Sequence, residues 1–299
     1  MLDVCVTHKF CLDGLASAWV FKRSKINKPS MVFYSSARME WELYGLPKII
    51  ERKSELGTVF FIDMNPSLTV MHDLASNGIA FEVLDHHEEE FDKTLKLATK
   101  EGIDLTGKTM FDNSECGATL AWKRFFPNLP LLSFLDHIRK NDTWTHASDE
   151  DRYVSEYIKT YLPNNSSIDD VNTFIANFSE QEATRIGKTI YQKTMIEVKN
   201  ATRAIIMVDF EGTQVAVANE SVNPSLVGHE LARRAPGGLG MAFYVSPERG
   251  MVKAAVRGDG ASTFCRKFGG GGHKQAAGFE MGLSEFAQFL KSAKKFKEK

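Results

Sequence analysis

Three short apolar runs in the first hundred residues each stop at a side chain that can bind a metal. The runs are VCV before Thr7-His8, TVFFI before Asp63 and IAFEVL before Asp85-His86-His87. Helical patterns lie between them, and this spacing of strands and helices predicts βαβ units and a parallel sheet. Because ligands bind outside the carboxyl ends of parallel strands, we expect the His and Asp side chains at one edge of that sheet.

The pattern changes about two thirds of the way along the chain. Helical patterns at 115–126, 131–140 and 168–201 precede short strand candidates at 204–208, 215–218, 240–245 and 251–256, with a helix at 226–234. This change falls near residues 195–203. We therefore predict a first domain at residues 1–185, a helical linker at 186–202 and a smaller α/β domain at 203–299.

Length and charge restrict the class of protein. A chain of 299 residues is long enough for about two domains. Its 37 basic and 38 acidic residues give a formal net charge of −1, which argues against a protein that wraps long duplex nucleic acid. Short anionic substrates remain compatible with this charge, because a local basic pocket does not show in the total.

Cysteine usage points to a reducing compartment. The four cysteines are widely scattered and form no CxxC pair, so we predict reduced thiols and a cytoplasmic location. We recognise neither a signal peptide nor an apolar run long enough to span a membrane. The sequence leaves room for a homodimer.

The predicted sheet edge carries imidazoles and carboxylates. Asp13, before Gly14, and Asp142, after a predicted helix, can add further oxygens. Such a mixed set suits Mn²⁺, Fe²⁺, Co²⁺ or Zn²⁺. Asp63 can bridge two ions, and a pair of ions is a common means of hydrolysing a phosphoester. Alone, a strand-end Asp is more often a helix cap or a turn residue, so the prediction depends on the whole set.

Six motifs resemble those of the DHH phosphoesterases, in the order that the family has them. They are THKFCLDGLASAW, VFFIDMNPS, Asp85-His86-His87, NSECGATLAW, HIRKNDTW and FGGGGHKQAAGF. The resemblance extends over nearly the whole chain except the middle helical region. It implies a two-domain manganese-type phosphoesterase with its active site in a cleft between the domains. The first motif, with its cysteine, resembles most that of the oligoribonuclease (nano-RNase) branch.

The resemblance also implies roles for individual residues. The expected metal ligands are His8 on the first ion, Asp13, His86 and Asp142 on the second, and Asp63 between them. His87 would face the scissile phosphate, and Asp85 would orient a histidine. Asp136 is a rival for the role of Asp142, but the spacing to Trp144 favours Asp142. The expected cofactor is two Mn²⁺ per chain, with Co²⁺, Fe²⁺, Zn²⁺ or Mg²⁺ as alternatives.

Cys11 departs from the family pattern, because many members have Asp at this position. A thiolate there can still bind the first ion and would shift its preference toward softer metals. The alternative is a small buried cysteine with no role in metal binding.

The glycine-rich segment near the C-terminus predicts a phosphate site. Successive backbone amides of Gly270, Gly271 and Gly272 can form an anion-binding nest, and His273 adds a donor. We interpret this segment as a shaped loop. Arg257 can pair bidentately with a phosphate, and Asn219 either faces the cleft or lies in a plain turn. Four aromatic residues are candidates for base stacking, although core packing is favoured for each: Phe10, Trp19, Phe33 and Trp41.

The predicted function is a metal-dependent phosphodiesterase or exoribonuclease that cuts short oligonucleotides to nucleoside monophosphates by two-metal activation of water. Two alternatives remain open. One is a phosphodiesterase of linear or cyclic dinucleotides. The other is a nucleotide-binding regulator that has lost catalysis, for which Cys11 is the supporting feature. The expected partners are short single-stranded RNA, other oligonucleotides or dinucleotides, and no membrane.

Overall fold

A computed structural model describes residues 1–35, 38–103, 105, 107–247, 250–291 and 293–295. The chain divides into two compact units, Met1–Tyr191 and Gln192–Lys299. None of the described helices has both the length and the apolar character needed to cross a lipid bilayer.

The first unit contains a five-stranded sheet in which every pair of neighbouring strands is parallel. Its strands are β1 (Leu2–His8), β2 (Ser30–Ser35), β3 (Leu56–Ile62), β4 (Ala80–Asp85) and β5 (Thr109–Phe111). Their order across the sheet is β2-β1-β3-β4-β5. Since the chain goes from β1 outward to β2 and then to β3 on the other side, the topological switch point lies between β1 and β3.

Helices cover both faces of this sheet, and further helices pack on them. The helices of the first unit are α1 (Leu12–Ser24), α2 (Arg38–Tyr44), α3 (Leu46–Glu51), α4 (Leu68–Ser76), α5 (Glu88–Lys100), α6 (Gly117–Phe125), α7 (Ser133–Asp142), α8 (Asp149–Tyr161) and α9 (Ile168–Asn177), and α10 (Glu180–Ala201) continues from it into the second unit. Successive strand residues alternate between two apolar clusters: Phe60 packs with Trp19 of α1, whereas Val59 and Phe61 pack with Val70 of α4. This alternation is what a sheet buried on both faces requires.

The predicted helix at 168–201 is two helices. The backbone at Phe178 is extended, with φ −71° and ψ 125°, so α9 ends at Asn177 and α10 begins at Glu180. The ring of Phe178 lies 5.4 Å from that of Phe174 and 6.5 Å from that of Tyr157. Packing of this ring favours the break, which helical periodicity does not reveal.

The second unit contains a mixed seven-stranded sheet of order β10-β11-β9-β8-β7-β6-β12. Its elements are β6 (Ile206–Phe210), β7 (Thr213–Asn219), α11 (Pro224–Arg234), β8 (Leu239–Ser246), β9 (Met251–Arg257), α12 (Ala261–Arg266), β10 (Gly271–His273), β11 (Ala276–Gly282), α13 (Leu283–Leu290) and β12 (Ala293–Lys295). Only β7 and β8 pair in parallel among the described strands of this sheet. The glycine segment was expected to be a loop, but Gly271 to His273 form a strand, because their backbone pairs with β11.

Candidate metal centre

The topological switch point of the parallel sheet brings three predicted site residues together. His8 ends β1, Asp63 follows β3 directly, and Asp85 ends β4. Because β1 lies beside β3 and β3 beside β4, their carboxyl ends lie along one edge. Side chains from segments far apart in sequence therefore converge there.

Asp63 lies between two histidines. Its Oδ2 is 3.3 Å from Nδ1 of His8, and its Oδ1 is 3.2 Å from Nε2 of His86. The Sγ of Cys11 donates a long hydrogen bond, 3.7 Å, to the same Oδ2. Asp63 is 2% exposed and has a left-handed backbone, φ 60°, a conformation that Asp adopts more readily than most residues. Each oxygen of this carboxylate therefore faces its own set of donors.

The Oδ1 side is completed by residues from two helices. Oδ2 of Asp142, at the end of α7, lies 3.4 Å from Nε2 of His86. Asp13, His86 and Asp142 each offer one ligand atom, and these three atoms lie within 4.8 Å of one another. Asp136 instead pairs with Arg139 at 2.6 Å and Lys140 at 3.0 Å. Asp142, and not its rival Asp136, thus contacts His86.

The first turn of α6 holds the carboxylate of Asp13. The amide of Gly117 donates to Oδ2 at 2.6 Å, and the amide of Ala118 donates to Oδ1 at 2.8 Å. Both amides lack partners within the helix, and the helix dipole favours a negative charge at this end. A carboxylate oxygen accepts more than one contact, so Asp13 retains lone pairs for a cation.

Two glycines allow these close approaches, and the sequence interpretation gave them no role. A Cβ on Gly14 would lie 2.3 Å from the carbonyl oxygen of His8, and a Cβ on Gly117 would lie 2.4 Å from the Cβ of Asp63. Both distances are far below any real contact between such atoms. Each glycine directly follows a motif residue, Asp13 or Cys116, and this position in the motif is the signal that could have identified them.

Asp85 positions His87. Its Oδ1 lies 2.7 Å from Nδ1 of His87 and also accepts hydrogen bonds from the amides of His86 at 2.8 Å and His87 at 3.4 Å. The side chain of Asp85 is fully buried. A carboxylate on one ring nitrogen fixes the orientation and the tautomer of an imidazole.

The charges of the cluster shift its pKa values. Although burial lowers the pKa of His86, the hydrogen bond to Asp63 and the charge of Asp142 raise it to about 9. Burial lowers the pKa of His87 too, but Asp85 raises it to about 10. Burial raises the pKa of Asp13, and the charges of Asp63 and Asp142 raise it further. The raised pKa values of these histidines and of Asp13 thus share one cause, the concentration of carboxylates in a buried cluster.

The donor set fits divalent cations. Among the described residues, the buried Oδ2 of Asp85 has no hydrogen-bond partner, and the buried Oδ2 of Asp142 has no hydrogen bond beside its 3.4 Å ion-pair contact with His86. A buried carboxylate oxygen without a partner is costly unless a cation or a water completes it. A second group of four ligand atoms also lies within 4.8 Å of one another, one atom each from Asp63, Asp85, His86 and His87. Nitrogen and oxygen donors of this kind suit Mn²⁺ and its neighbours in the first transition series.

Arg257 of the second unit has no acidic partner among the described residues. Its Nε donates to Ser225 Oγ at 3.1 Å, and its Nη1 donates to the carbonyl oxygens of Val256 at 2.9 Å and Ala277 at 3.4 Å. Burial lowers the pKa of its guanidinium. Gly228 makes room for the stem, since a Cβ there would lie 2.8 Å from Cγ of Arg257. Neither Ser225 nor Gly228 carries a sequence signal for this role.

The register of the second sheet shows which of the other predicted phosphate ligands lie in line with Arg257. Arg257 pairs with Ala276, and Ala276 pairs with His273, so the hairpin and the arginine lie on one line across three strands. Gly271 and Gly272 of this hairpin are exposed, and Gly270 is partly buried. Asn219 is not part of this group. Asn219 pairs with Phe243 of β8, whereas Arg257 pairs with Gly240 of the same strand. Phe243 and Gly240 are three residues apart, which corresponds to about 10 Å along the strand.

The aromatic candidates separate into two groups. Trp19 and Trp41 are each 3% exposed and lie in the apolar clusters, as favoured. Phe33 is partly buried against one of them. The prediction of core packing is wrong for Phe10, which is 61% exposed. It lies in the turn between His8 and Cys11 with φ 56°, and the ammonium of Lys9 is 4.8 Å from its ring centre.

The fold and this edge together define an α/β protein with a candidate metal centre at the switch point of its parallel sheet. No protein-family model matches the chain. The uncharacterized protein R106 of Acanthamoeba polyphaga mimivirus is 24% identical over 291 residues, which cover 93% of this chain and 67% of R106.

Two solved structures show the same fold. RecJ of Thermus thermophilus, in complex with Mn²⁺, has a TM-score of 0.51 and 16% identity, and the match covers 97% of this chain and 51% of RecJ. The pGpG-specific phosphodiesterase PggH of Vibrio cholerae has a TM-score of 0.50 and 11% identity, with 97% of each chain covered. The chain thus shares the fold of these two structures, and the α/β fold class predicted from the sequence is confirmed.

Proposed function

We propose that the protein is a metal-dependent phosphodiesterase that removes nucleotides from short oligonucleotides and releases nucleoside monophosphates. The observation that carries this proposal is the position of Asp63, whose two carboxylate oxygens face His8 and His86 separately at 3.3 and 3.2 Å. A carboxylate placed in this way can bridge two cations. Paired cations are the usual means of cleaving a phosphodiester.

The residues that would hold the ions lie on both sides of Asp63. His8 and Cys11 would hold the first ion, and Asp13, His86 and Asp142 the second. When bound, the two ions supply Lewis acidity, which activates water and neutralises the phosphoryl oxygens. We propose Mn²⁺ as the cofactor, and the RecJ structure that shares this fold contains Mn²⁺.

His87 is the proposed catalytic partner of the scissile phosphate. Asp85 holds its Nδ1 at 2.7 Å and raises its pKa to about 10, against the effect of burial. The Asp85 carboxylate therefore favours the protonated form of the ring. A protonated imidazole beside the scissile phosphate favours a transition state in which negative charge accumulates on phosphoryl oxygens.

The second unit is proposed to bind the rest of the substrate. Arg257 is largely desolvated, has no acidic partner among the described residues, and lies in line with His273 across the sheet. A guanidinium in this state is suited to a phosphate, which it can contact bidentately. The exposed amides of Gly271 and Gly272 are proposed to add backbone donors.

Phe10 supports a substrate that carries bases. Its exposed ring adjoins the ligands His8 and Cys11 in sequence, and a bulky residue at φ 56° is strained. Strain of this kind persists where the surrounding structure holds the residue in place, and it is concentrated at functional sites. A ring exposed beside a phosphodiesterase centre can stack on a nucleobase. A simple phosphomonoester or polyphosphate offers no such group.

A dinucleotide phosphodiesterase is the second candidate. The pGpG-specific PggH matches this chain over 97% of both lengths, whereas only 51% of RecJ is matched. PggH acts on a linear dinucleotide, and this likeness supports the second candidate. Cyclic dinucleotides belong to the same candidate.

The proposal is tested by hydrolysis of 5′-labelled RNA and DNA. The substrates are from two to about twenty nucleotides long, and each is incubated first with Mn²⁺ and then with EDTA. Stepwise release of monophosphates, fastest for short RNA, is expected. Cleavage of dinucleotides alone would select the second candidate. No cleavage of linear or cyclic substrates at any length would overturn the enzyme proposal and favour the binding regulator. The His87→Gln variant, which retains the side-chain size but loses the cationic ring, serves as the catalytically impaired control.

The cytoplasmic location remains part of this proposal. All four cysteines of the chain are free thiols, and three of them are buried. Free thiols are typical of reducing compartments. To test for free thiols, the unmutated protein is denatured without a reductant and treated with a thiol reagent. Four reactive thiols per chain are expected.

A further inference from the structure

Two aromatic residues with a left-handed backbone lie close in sequence to candidate metal ligands. Among the described residues, the non-glycine residues with a positive φ are Phe10, Asn27, Asp63, Trp144 and Glu211. Asn27 and Glu211 lie in exposed turns, whereas Phe10 follows His8 by two residues and Trp144 follows Asp142 by two. A positive φ is an outlier for residues as bulky as Phe and Trp, and such strain is concentrated at functional sites.

Trp144 occupies the position after the C-cap of α7, where glycine is the usual residue. The helix ends at Asp142, and Thr143 is its C-cap. The amide of Thr145 donates to the carbonyl oxygen of Lys140 at 2.9 Å, and this bond of a Schellman motif encloses a left-handed residue. Trp144 has that conformation, with φ 58°, and the hydroxyls of Thr143 and Thr145 lie 2.8 Å apart beside it. The turn therefore holds a bulky residue in a conformation that glycine adopts without strain.

The indole of Trp144 is accessible to solvent. It is 38% exposed, whereas the three other tryptophans of the chain are each 3% exposed: Trp19, Trp41 and Trp122. Its ring meets that of His146 edge-on, with ring centres 5.6 Å apart, and Nε2 of His146 lies 3.1 Å from Oγ of Ser155 on α8. A ring supported along one edge in this way loses little side-chain freedom when a ligand stacks on it.

Phe10 and Trp144 follow residues on opposite sides of Asp63. Nδ1 of His8, two residues before Phe10, faces Oδ2 of Asp63. Asp142, two residues before Trp144, contacts the histidine that faces Oδ1. Since consecutive Cα atoms are about 3.8 Å apart, each aromatic residue has its Cα within about 7.6 Å of that of the candidate ligand. A phosphodiester between two nucleotides likewise has one nucleoside on each side of its phosphorus.

We propose that Trp144 stacks on the second of the two bases that flank the scissile phosphate, so that Phe10 and Trp144 each hold one base. This inference rests on the proposed function, and it makes a dinucleotide the smallest substrate that uses the whole site. Stacking on an aromatic ring tolerates any base. The site therefore selects for a base on each side of the bond and not for a particular sequence.

Dinucleotides that lack one base test this assignment. An adenine dinucleotide is compared with its two forms that carry an abasic sugar, at the first or at the second position. Trp144→Leu retains an apolar side chain and loses the ring, so its KM for the intact dinucleotide should rise by roughly 5- to 150-fold, whereas Trp144→Phe should retain most of the affinity. On one abasic form Trp144→Leu should act as the native protein does, and on the other Phe10→Ala should do so. If Trp144→Leu does not fold, Trp144→Gly, which suits the left-handed backbone, replaces it.

Tyr161→Leu is the matched control. Tyr161 is 53% exposed and is the last residue of α8. It lies ten residues, or about 15 Å along the helix, from Asp151, which is the residue of α8 that contacts Lys140 of α7. This variant is expected to keep the native KM for all three dinucleotides.

Tryptophan fluorescence reports the contact without turnover. In the His87→Gln background with Mn²⁺, the intact dinucleotide should quench the fluorescence of the exposed Trp144, and Trp144→Leu in the same background should lose this quenching. An unchanged KM in Trp144→Leu, an equal rise in KM for all three substrates, or quenching that survives in that variant would overturn the inference and leave the proposed function intact. Absence of cleavage of every substrate would overturn the proposed function, and the quenching would still show whether Trp144 contacts a base.

Discussion

Gly117 contacts the backbone of Asp63 so closely that its missing Cβ would lie 2.4 Å from the Cβ of that aspartate. The same glycine donates its amide hydrogen to Oδ2 of Asp13 at 2.6 Å. One residue at the start of α6 thus determines the positions of two carboxylates of the candidate metal centre.

We expect Gly117→Ala to displace these carboxylates. Real Cβ atoms are essentially never closer than 3.0 Å to another heavy atom, so Asp63 or the helix must move by a large part of an ångström. A misplacement of about 1 Å costs on the order of 100-fold in rate. The kcat/KM for a short RNA measures this loss.

Gly282→Ala is the matched control. A Cβ on Gly282 would meet no atom of the described residues within 4 Å, and the backbone there has an ordinary φ of −66°. This variant is expected to retain full activity. Equal activity of the two variants would show that Gly117 does not position the centre.

Removal of the bridging carboxylate is expected to abolish turnover and leave the fold intact. Asp63→Ala removes the group that His8 and His86 share, while the apolar clusters on both faces of the sheet do not include this side chain. Calorimetric titration with Mn²⁺ should show fewer than two ions per chain, and circular dichroism should be unchanged. A variant that turns over at the native rate contradicts the model of a shared carboxylate.

The strand ends of the first unit could be predicted because they depend on local sequence. A β-branched run that stops at Asp or His marks the end of a strand, and parallel topology then places these ends together. The prediction of His8, Asp63 and Asp85 at one edge required no knowledge of tertiary contacts. Their convergence follows from hydrophobic patterning together with the parallel topology that the spacing of strands and helices predicts.

Features that depend on distant contacts were not predictable in this way. Whether Phe10 is exposed depends on what packs over the turn, not on its own hydrophobicity. The separation of Asn219 from Arg257 depends on the order of strands in a mixed sheet, where residues far apart in sequence set the register. The close approach of Gly117 to Asp63 joins segments that are 54 positions apart.

Arg257→Ala is expected to raise KM more than it lowers kcat. Hydrogen bonds to a charged group contribute about 1.5–3 kcal/mol, which corresponds to roughly 10- to 150-fold in KM. The guanidinium would contact a part of the substrate that does not react, so its loss affects ground-state binding. Arg257→Lys should recover only part of the affinity, since it keeps the charge and loses the bidentate geometry. An unchanged KM in both variants would remove Arg257 from the substrate site.

Phe10→Ala is expected to weaken binding of substrates that carry a base. Stacking on an aromatic ring contributes about 1–3 kcal/mol per base, so KM should rise by roughly 5- to 150-fold, whereas Phe10→Trp should retain affinity. The control is an oligonucleotide that lacks the base at its reactive end, on which native protein and Phe10→Ala should act alike. A matched loss on the substrate without a base would indicate a structural role for Phe10.

The stability of the helical layer that carries Asp142 is expected to depend on pH through Asp151. Asp151 accepts hydrogen bonds from Lys140 of α7 at 2.7 Å and from the amides of Ala147 at 2.9 Å and Ser148 at 3.2 Å. Although burial raises the pKa of Asp151, these hydrogen bonds lower it below its usual value of 3.8. A carboxyl with a lowered pKa contributes stability above its unfolded pKa and loses it as the pH falls through its folded pKa. The contribution of Asp151 is therefore complete above about pH 5 and is lost below pH 3.8.

We expect Asp151→Asn to lower the free energy of unfolding by about 2 kcal/mol at pH 7, because hydrogen bonds to a charged group are replaced by weaker ones. The difference from the native protein should shrink as the pH falls below 3.8. Urea unfolding between about pH 3 and pH 7, in the presence of EDTA, measures both quantities. Glu101→Gln, at an exposed site whose side chain has no hydrogen bond to the described residues, is the control and should behave as the native protein does. A difference between Asp151→Asn and native protein that stays constant with pH would show that the charge of Asp151 does not stabilise the contact between α7 and α8.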